Sequence, residues 1–258
     1  MSIWGKLAGA AAGFVLGGPL GALLGGLAGH VFDHVREKGE GRKDMEPELD
    51  QRELRRLAFG AGVVALAAKL AKVDGVVSRD EVEAFREVFR IDDEEVPQVA
   101  KLFDEARESP FGFEAYATQV AEVLGHDPAL LEELLDALIA IAAADGRLHR
   151  AEEQYLREVA RLLGFGPWQF EQILARWQAT FRREAPAEEE PDPYAVLGVS
   201  RDASDEEIRR TWRRLVREHH PDRLVAEGLP EELVRRANER LAAINAAYDR
   251  IAKQRGFT

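Results

Sequence analysis

Between residues 50 and 182 the apolar positions fall into runs at 54–73, 82–89, 96–103, 113–124, 130–144, 155–163 and 170–181, with turn signals between them, which predicts an all-helical domain. A second pattern starts beyond residue 190. Pro193 at a helix start and Gly198 after it predict one brief helix. Ile208, Trp212, Leu215 and Val216 form the buried stripe of another, opened by a Ser204/Glu207 capping box and ended by Pro221. From Glu231 to about Lys253, Leu233, Ala237, Leu241, Ile244, Tyr248 and Ile251 make a heptad stripe suited to antiparallel packing. These segments predict a three-helix unit with His220, Pro221 and Asp222 presented on a loop at its hairpin tip.

Near the start, residues 7–29 hold 23 residues without a formal charge. As a helix they would reach about 35 Å, enough to cross a hydrocarbon core. The run is too long for a secretory signal. Gly9, Gly13, Gly17, Gly21 and Gly25 recur every fourth residue and would groove one helix face, as in small-residue helix pairing, so a homodimer through this span is expected. Lys6 alone precedes the run, whereas Arg36, Lys38, Arg42 and Lys43 follow it, which places the bulk of the chain on the cytoplasmic side. The fold class is therefore all-α: a single transmembrane helix, a helical bundle and a C-terminal helical hairpin. The expected divisions are a periplasmic start at 1–6, the span at 7–31, a charged stalk at 32–49, the bundle at 50–182, an acidic Pro/Ala linker at 183–191 and the terminal unit at 192–258.

Composition narrows the function. The 258 residues are 46% hydrophobic and include no cysteine, which excludes disulfides and cysteine-ligated zinc. Net charge is −12, yet residues 192–258 carry 13 Lys/Arg against 12 Asp/Glu, with Arg209, Arg210, Arg213, Arg214 and Arg217 on one helix. The acidic remainder argues against nucleic acid as the partner of that basic face. Asp74-Gly75 with Glu81 recurs 71 residues later as Asp145-Gly146 with Glu152, a weak internal repeat implying two related hairpins. Convergence of Asp74, Glu81, Asp145 and Glu152 would offer a divalent cation four carboxylates. Asp-Gly turns and a Ser78/Glu81 capping box explain the pattern locally, so no metal or cofactor is expected. No nucleophile with a positioned base, Walker loop or dinucleotide fingerprint occurs.

Tyr194 with Leu197-Gly198-Val199, the arginine helix, His220-Pro221-Asp222 and Asn245-Ala246-Ala247-Tyr248 together resemble a J domain, the module by which DnaJ-type co-chaperones engage DnaK-type chaperones. The resemblance implies that His220, Pro221 and Asp222 trigger ATP hydrolysis in the partner while Arg209, Arg213, Arg214 and Arg217 dock on its acidic surface. Trp212 stands where that family usually has tyrosine. The Asp-Gly helices resemble the tellurite-resistance TerB family. With Ile3-Trp4-Gly5-Lys6, Gly29-His30-Val31-Phe32-Asp33 and residues 224–230, nearly the whole chain is similar to the DjlA family of membrane-anchored DnaJ-like bacterial proteins. That implies an inner-membrane protein with its amino terminus in the periplasm, an activator of an ATPase and not itself an enzyme. The competing reading is a membrane-tethered sensor or scaffold whose TerB-like domain binds a metal or protein ligand, with the J unit as a recruitment accessory. Clients, pathway and the ligand of the middle domain are not written in the sequence.

Overall fold

The longest apolar run of the middle domain becomes its axis. The structure is a computed structural model that describes residues 17–24, 51–74, 79–89, 91–109, 111–181, 192–227 and 231–257. Helix α1 (Gln51–Asp74) is buried at every position from 57 to 71. A helix apolar on all sides must be enclosed by others, and α2 (Arg79–Phe89), α3 (Val96–Glu108), α4 (Phe113–Val123), α5 (Pro128–Ala142), α6 (Arg150–Leu162) and α7 (Pro167–Phe181) supply the enclosure. Of these, α3, α4, α5 and α6 pack directly on α1. Gly62 lets α4 approach closely, since a Cβ there would lie 2.4 Å from Val120 Cγ2. The Tyr155 hydroxyl of α6 donates to the Leu66 carbonyl at 2.7 Å, tying α6 to the axis.

Helix α5 departs from an ordinary amphipathic pattern. Asp127 caps it, its carboxylate accepting the Ala129 and Leu130 amides at 3.0 and 3.4 Å. Beyond the cap, both its leucines and its charged residues Glu132, Glu133 and Asp136 are buried. One side of α5 faces α1, α2, α6 and α7. Its carboxylates meet cations brought by α7 and by the C-terminal unit.

That unit contains four described helices: α8 (Pro193–Leu197), α9 (Asp205–Glu218), α10 (Pro221–Glu227) and α11 (Glu231–Arg255). The expected three were α8, α9 and α11. Asp192 caps α8 and Gly198 closes it in the left-handed region at φ 69°. Pairs running from Asp205–Arg255 through Trp212–Asn245 show α9 and α11 to be antiparallel. Ile208 and Leu215 of α9 close with Ile244 and Ile251 of α11 over Tyr194, Val196 and Leu197.

Composition had implied separate cores for the bundle and this unit, but Leu224, Leu233 and Ala237 belong to the bundle's apolar core. Helix α11 rests on α2 and α7, α8 on α7, and α10 on α1. The stalk at 32–49 and the linker at 183–191 lie outside the described residues.

The amino-terminal expectation meets described residues only at 17–24. Gly17 and Gly18 take φ +57° and +56°, which interrupts the uniform helix expected over 7–31. Without side chains these two residues enter the left-handed region at little cost. Helix begins at Gly18, and Pro19 suits its first turn. Leu20, Leu23 and Leu24 are buried in the bundle's core. Gln119 of α4 accepts the Leu20 amide at 2.8 Å and donates to the Gly17 carbonyl at 2.7 Å. No helix among the described residues is long and apolar enough to cross a membrane. Gly9, Gly13 and Gly25 lie outside the described residues, and Gly17 is not helical.

Candidate functional site

Helix α9 presents the arginines. Ser204 Oγ accepts the Glu207 amide at 3.2 Å to start it, and Ile208 and Leu215 anchor it inward. Arg213 and Arg217 are exposed and hold no ion pair among the described residues. Arg214 pairs along the helix with Glu218 at 2.7 Å. Arg209 differs, its guanidinium lying 4.5 Å over the Phe257 ring, which makes it partly a packing residue. Trp212 stacks on Tyr248 with centroids 4.4 Å apart and donates its indole N–H to Asn245 Oδ1 at 2.8 Å. The tryptophan thus finds both an aromatic and a polar partner on α11.

His220-Pro221-Asp222 does not form the loop that the helix stop implied. Pro221 is buried and opens α10, where a residue without an amide proton costs least. His220 precedes that helix as its cap: Nδ1 accepts the Asp222 amide at 3.3 Å, and its carbonyl accepts the Arg223 amide at 3.0 Å. Both side chains stay outside, 49% exposed at His220 and 88% at Asp222, with His220 Nδ1 3.5 Å from Asp222 Oδ2. The tripeptide is a corner between two helices, with an imidazole and a carboxylate projecting side by side.

Three family models match in order along the chain: the co-chaperone DjlA transmembrane domain at residues 1–44, tellurite resistance protein TerB at 61–175, and the DnaJ domain at 192–255. The Co-chaperone protein DjlA of Photobacterium profundum is 36% identical over 223 residues, covering 80% of each chain. That of Shewanella oneidensis is 33% identical over 216 residues, covering 81% of this chain and 82% of its own. The chain belongs to the co-chaperone DjlA family. A third relative of that name, from Coxiella burnetii, is 34% identical over 200 residues, covering 73% of this chain and 74% of its own. No solved structure matches the chain.

In this DjlA-family protein the J unit is joined to the bundle by residues that the sequence had not singled out. Arg240 of α11 is fully buried and donates from Nη1 and Nη2 to the two oxygens of Glu133 at 2.6 and 3.0 Å. Its Nη2 also lies 2.5 Å from Asp136 Oδ2, an ion contact without hydrogen-bond geometry. Arg176 of α7 donates Nε and Nη2 to Glu132 at 3.1 and 2.8 Å. His219, the neighbour of the exposed His220, is buried with Nε2 3.6 Å from Glu132 Oε2. Burial lowers the His219 pKa to about 4 against the pull of Glu132, so the imidazole is neutral at neutral pH. Burial opposes ionisation of Glu132, but Arg176, His219 and Arg240 bring it down to about 2. Asp136 is pushed up to about 7 by burial, with Glu132 and Glu133 adding to it and Arg240 opposing. The carboxylates inside the leucine-rich run of α5 were the available signal, because buried charges call for partners.

The repeat carboxylates are engaged locally where they are described. Asp145 accepts the Arg147 amide at 2.9 Å and contacts His149 Nε2 at 3.2 Å. Glu152 accepts the His149 amide at 2.8 Å in a capping box at the start of α6. The side chains of Asp74 and Glu81 lie outside the described residues.

Proposed function

We propose that this chain is a membrane-anchored co-chaperone whose J unit recruits a DnaK-type chaperone and stimulates its ATP hydrolysis through His220-Pro221-Asp222. The observation that carries the reading is the exposed His220/Asp222 pair on a corner at the end of a helix that displays Arg213, Arg214 and Arg217. Guanidiniums on a stiff helix steer an acidic partner and give charge-assisted hydrogen bonds, and the corner then delivers a donor and an acceptor to it. Such a protein regulates a partner's catalysis and performs none. Single-turnover ATP hydrolysis by DnaK with the full chain in detergent tests this: the parent accelerates it and His220→Gln does not, whereas equal rates would sink the reading.

Anchoring is assigned to the amino-terminal segment, supported by the uncharged run at 7–29 and by the match of residues 1–44 to a transmembrane domain. The excess of Lys and Arg after the run supports a periplasmic amino terminus at the inner membrane with the other domains cytoplasmic. Pairing of two spans through the glycine ladder belongs to the same reading. Insertion requires residues 17–24 to leave Gln119.

A second reading, with the TerB-like bundle as a ligand sensor, is favoured by an apolar cavity of about 170 Å³ lined by Ala67, Phe85, Ile91, Val99, Phe103 and Ile141. Shifts of the lining methyl resonances under xenon would support it, and an unperturbed spectrum would remove it.

A further inference from the structure

The exposed tripeptide is gripped by the bundle from both sides. Immediately before it, buried His219 faces Glu132 of α5. Immediately after it, Arg223 Nη2 donates to both oxygens of Asp127 at 3.1 and 2.9 Å. At the far end of α10, Glu227 accepts from Arg55 Nη1 at 2.9 Å. Arg55 is itself fixed, its Nη2 donating to the Leu124 carbonyl at 2.8 Å and lying 3.9 Å from Asp127 Oδ2.

From this arrangement we infer that Asp127, Glu132 and Arg55 of the TerB-like bundle are positioning residues for His220-Pro221-Asp222, so that the bundle sets the direction in which the J unit presents its trigger. The inference rests on the co-chaperone reading above. Asp127 is well suited to the task because capping α5 already orders its carboxylate before Arg223 arrives. A pre-ordered acceptor loses little conformational entropy on pairing. The grip leaves the partner-facing groups open: His220, Asp222, Arg213 and Arg217 all remain exposed. Docking by the arginines and triggering by the tripeptide are therefore separable, and loosening α10 acts on the second.

The test is single-turnover ATP hydrolysis by DnaK titrated with the full chain in detergent, comparing the parent with Asp127→Asn, Asp127→Glu, Arg55→Gln and His220→Gln. Asparagine caps a helix as well as aspartate does, so Asp127→Asn keeps the start of α5 and removes only the charge. The maximal rate is expected to fall about threefold or more with Asp127→Asn and Arg55→Gln, since small misplacements of reacting groups are costly. Half-saturating concentration and thermal midpoint should stay at the parent's values, and Asp127→Glu should retain most of the rate. Because the chain has no cysteine, a nitroxide on Val225→Cys, on the exposed side of α10, gives an independent readout; its spectrum should sharpen when Asp127→Asn is added. A parent-like rate and spectrum for Asp127→Asn, with His220→Gln inactive, would overturn the positioning role and leave the co-chaperone reading standing. A faster rate with Asp127→Asn would also overturn it, since the contact would then be a restraint. Full activity of His220→Gln would remove the reading on which the inference rests.

Discussion

Arg240 and Glu133, 107 residues apart in the chain, form a buried two-bond ion pair at the centre of the contact between the J unit and the bundle. Around it the carboxyl groups of Glu132, Glu133 and Asp136 face the guanidiniums of Arg176, Arg236 and Arg240, all nearly withdrawn from water.

Removing one member leaves the others uncompensated. Arg240→Met should cost about 3–5 kcal/mol of stability, the range for breaking a buried pair. Replacing Arg240 and Glu133 together by Met and Leu removes one charge of each sign and should recover most of that loss. Urea unfolding of the three proteins checks this, and a double variant as unstable as Arg240→Met would contradict it.

Two groups of the cluster answer pH in opposite senses. His219 is lowered from 6.5 to about 4, so the unfolded chain takes up the proton first and stability falls as pH drops through that window. Asp136 is raised from 3.8 to about 7, so its contribution is present below about 4 and lost as pH rises toward 7. Glu132, lowered from 4.5 to about 2, contributes above 4.5 and loses that contribution as pH falls. The urea midpoint should therefore stay nearly level from about pH 7 to 5 and drop below about 4.5. His219→Gln removes one of the opposing arms, and its stability should rise on acidification over the level range. An unchanged profile in that variant would refute the assignment.

Trp212→Phe keeps a ring against Tyr248 but removes the indole donor, leaving Asn245 Oδ1 without that bond. A loss of about 1 kcal/mol is expected, read by thermal unfolding. Restoration by adding Asn245→Leu would assign the loss to the stranded amide.

At Gly62 the new methyl of an alanine would meet Val120 Cγ2. Gly62→Ala should destabilise by about 1–3 kcal/mol through overpacking, and Val120→Ala should relieve it. Additive losses in the double variant would show that the two positions do not compete for one space.

For the anchor, the full-length protein should resist carbonate extraction from membranes. Its release into the soluble fraction would count against a span. Gly17→Leu should weaken self-association in membranes if the glycine ladder pairs two copies.

What could be read from the chain alone followed from local signals. Asp192, Ser204 and the Ile208/Leu215 stripe announced their helices because caps and periodicity act within a turn or two. Helix α10 went unseen because it is seven residues long and its cap is the tripeptide itself. His219 carries no local mark of burial; Glu132, which receives it, lies in another domain. The same holds for Arg240, whose neighbours in sequence look like an ordinary solvated face. At the amino terminus, hydropathy counted apolar residues and gave no sign of the left-handed Gly17 and Gly18 ahead of Pro19.

The contact between Gln119 and Gly17 spans 102 residues of chain. At a synthesis rate of about 5–20 residues per second, roughly 5–20 s pass between the emergence of the two. During that interval Leu20, Leu23 and Leu24 leave the ribosome with no α4 to receive them, while a nearby bilayer offers an apolar surface. Translation order thus gives the membrane first refusal of the segment, and slowing or speeding elongation ahead of Gln119 becomes a handle on where the amino terminus ends up.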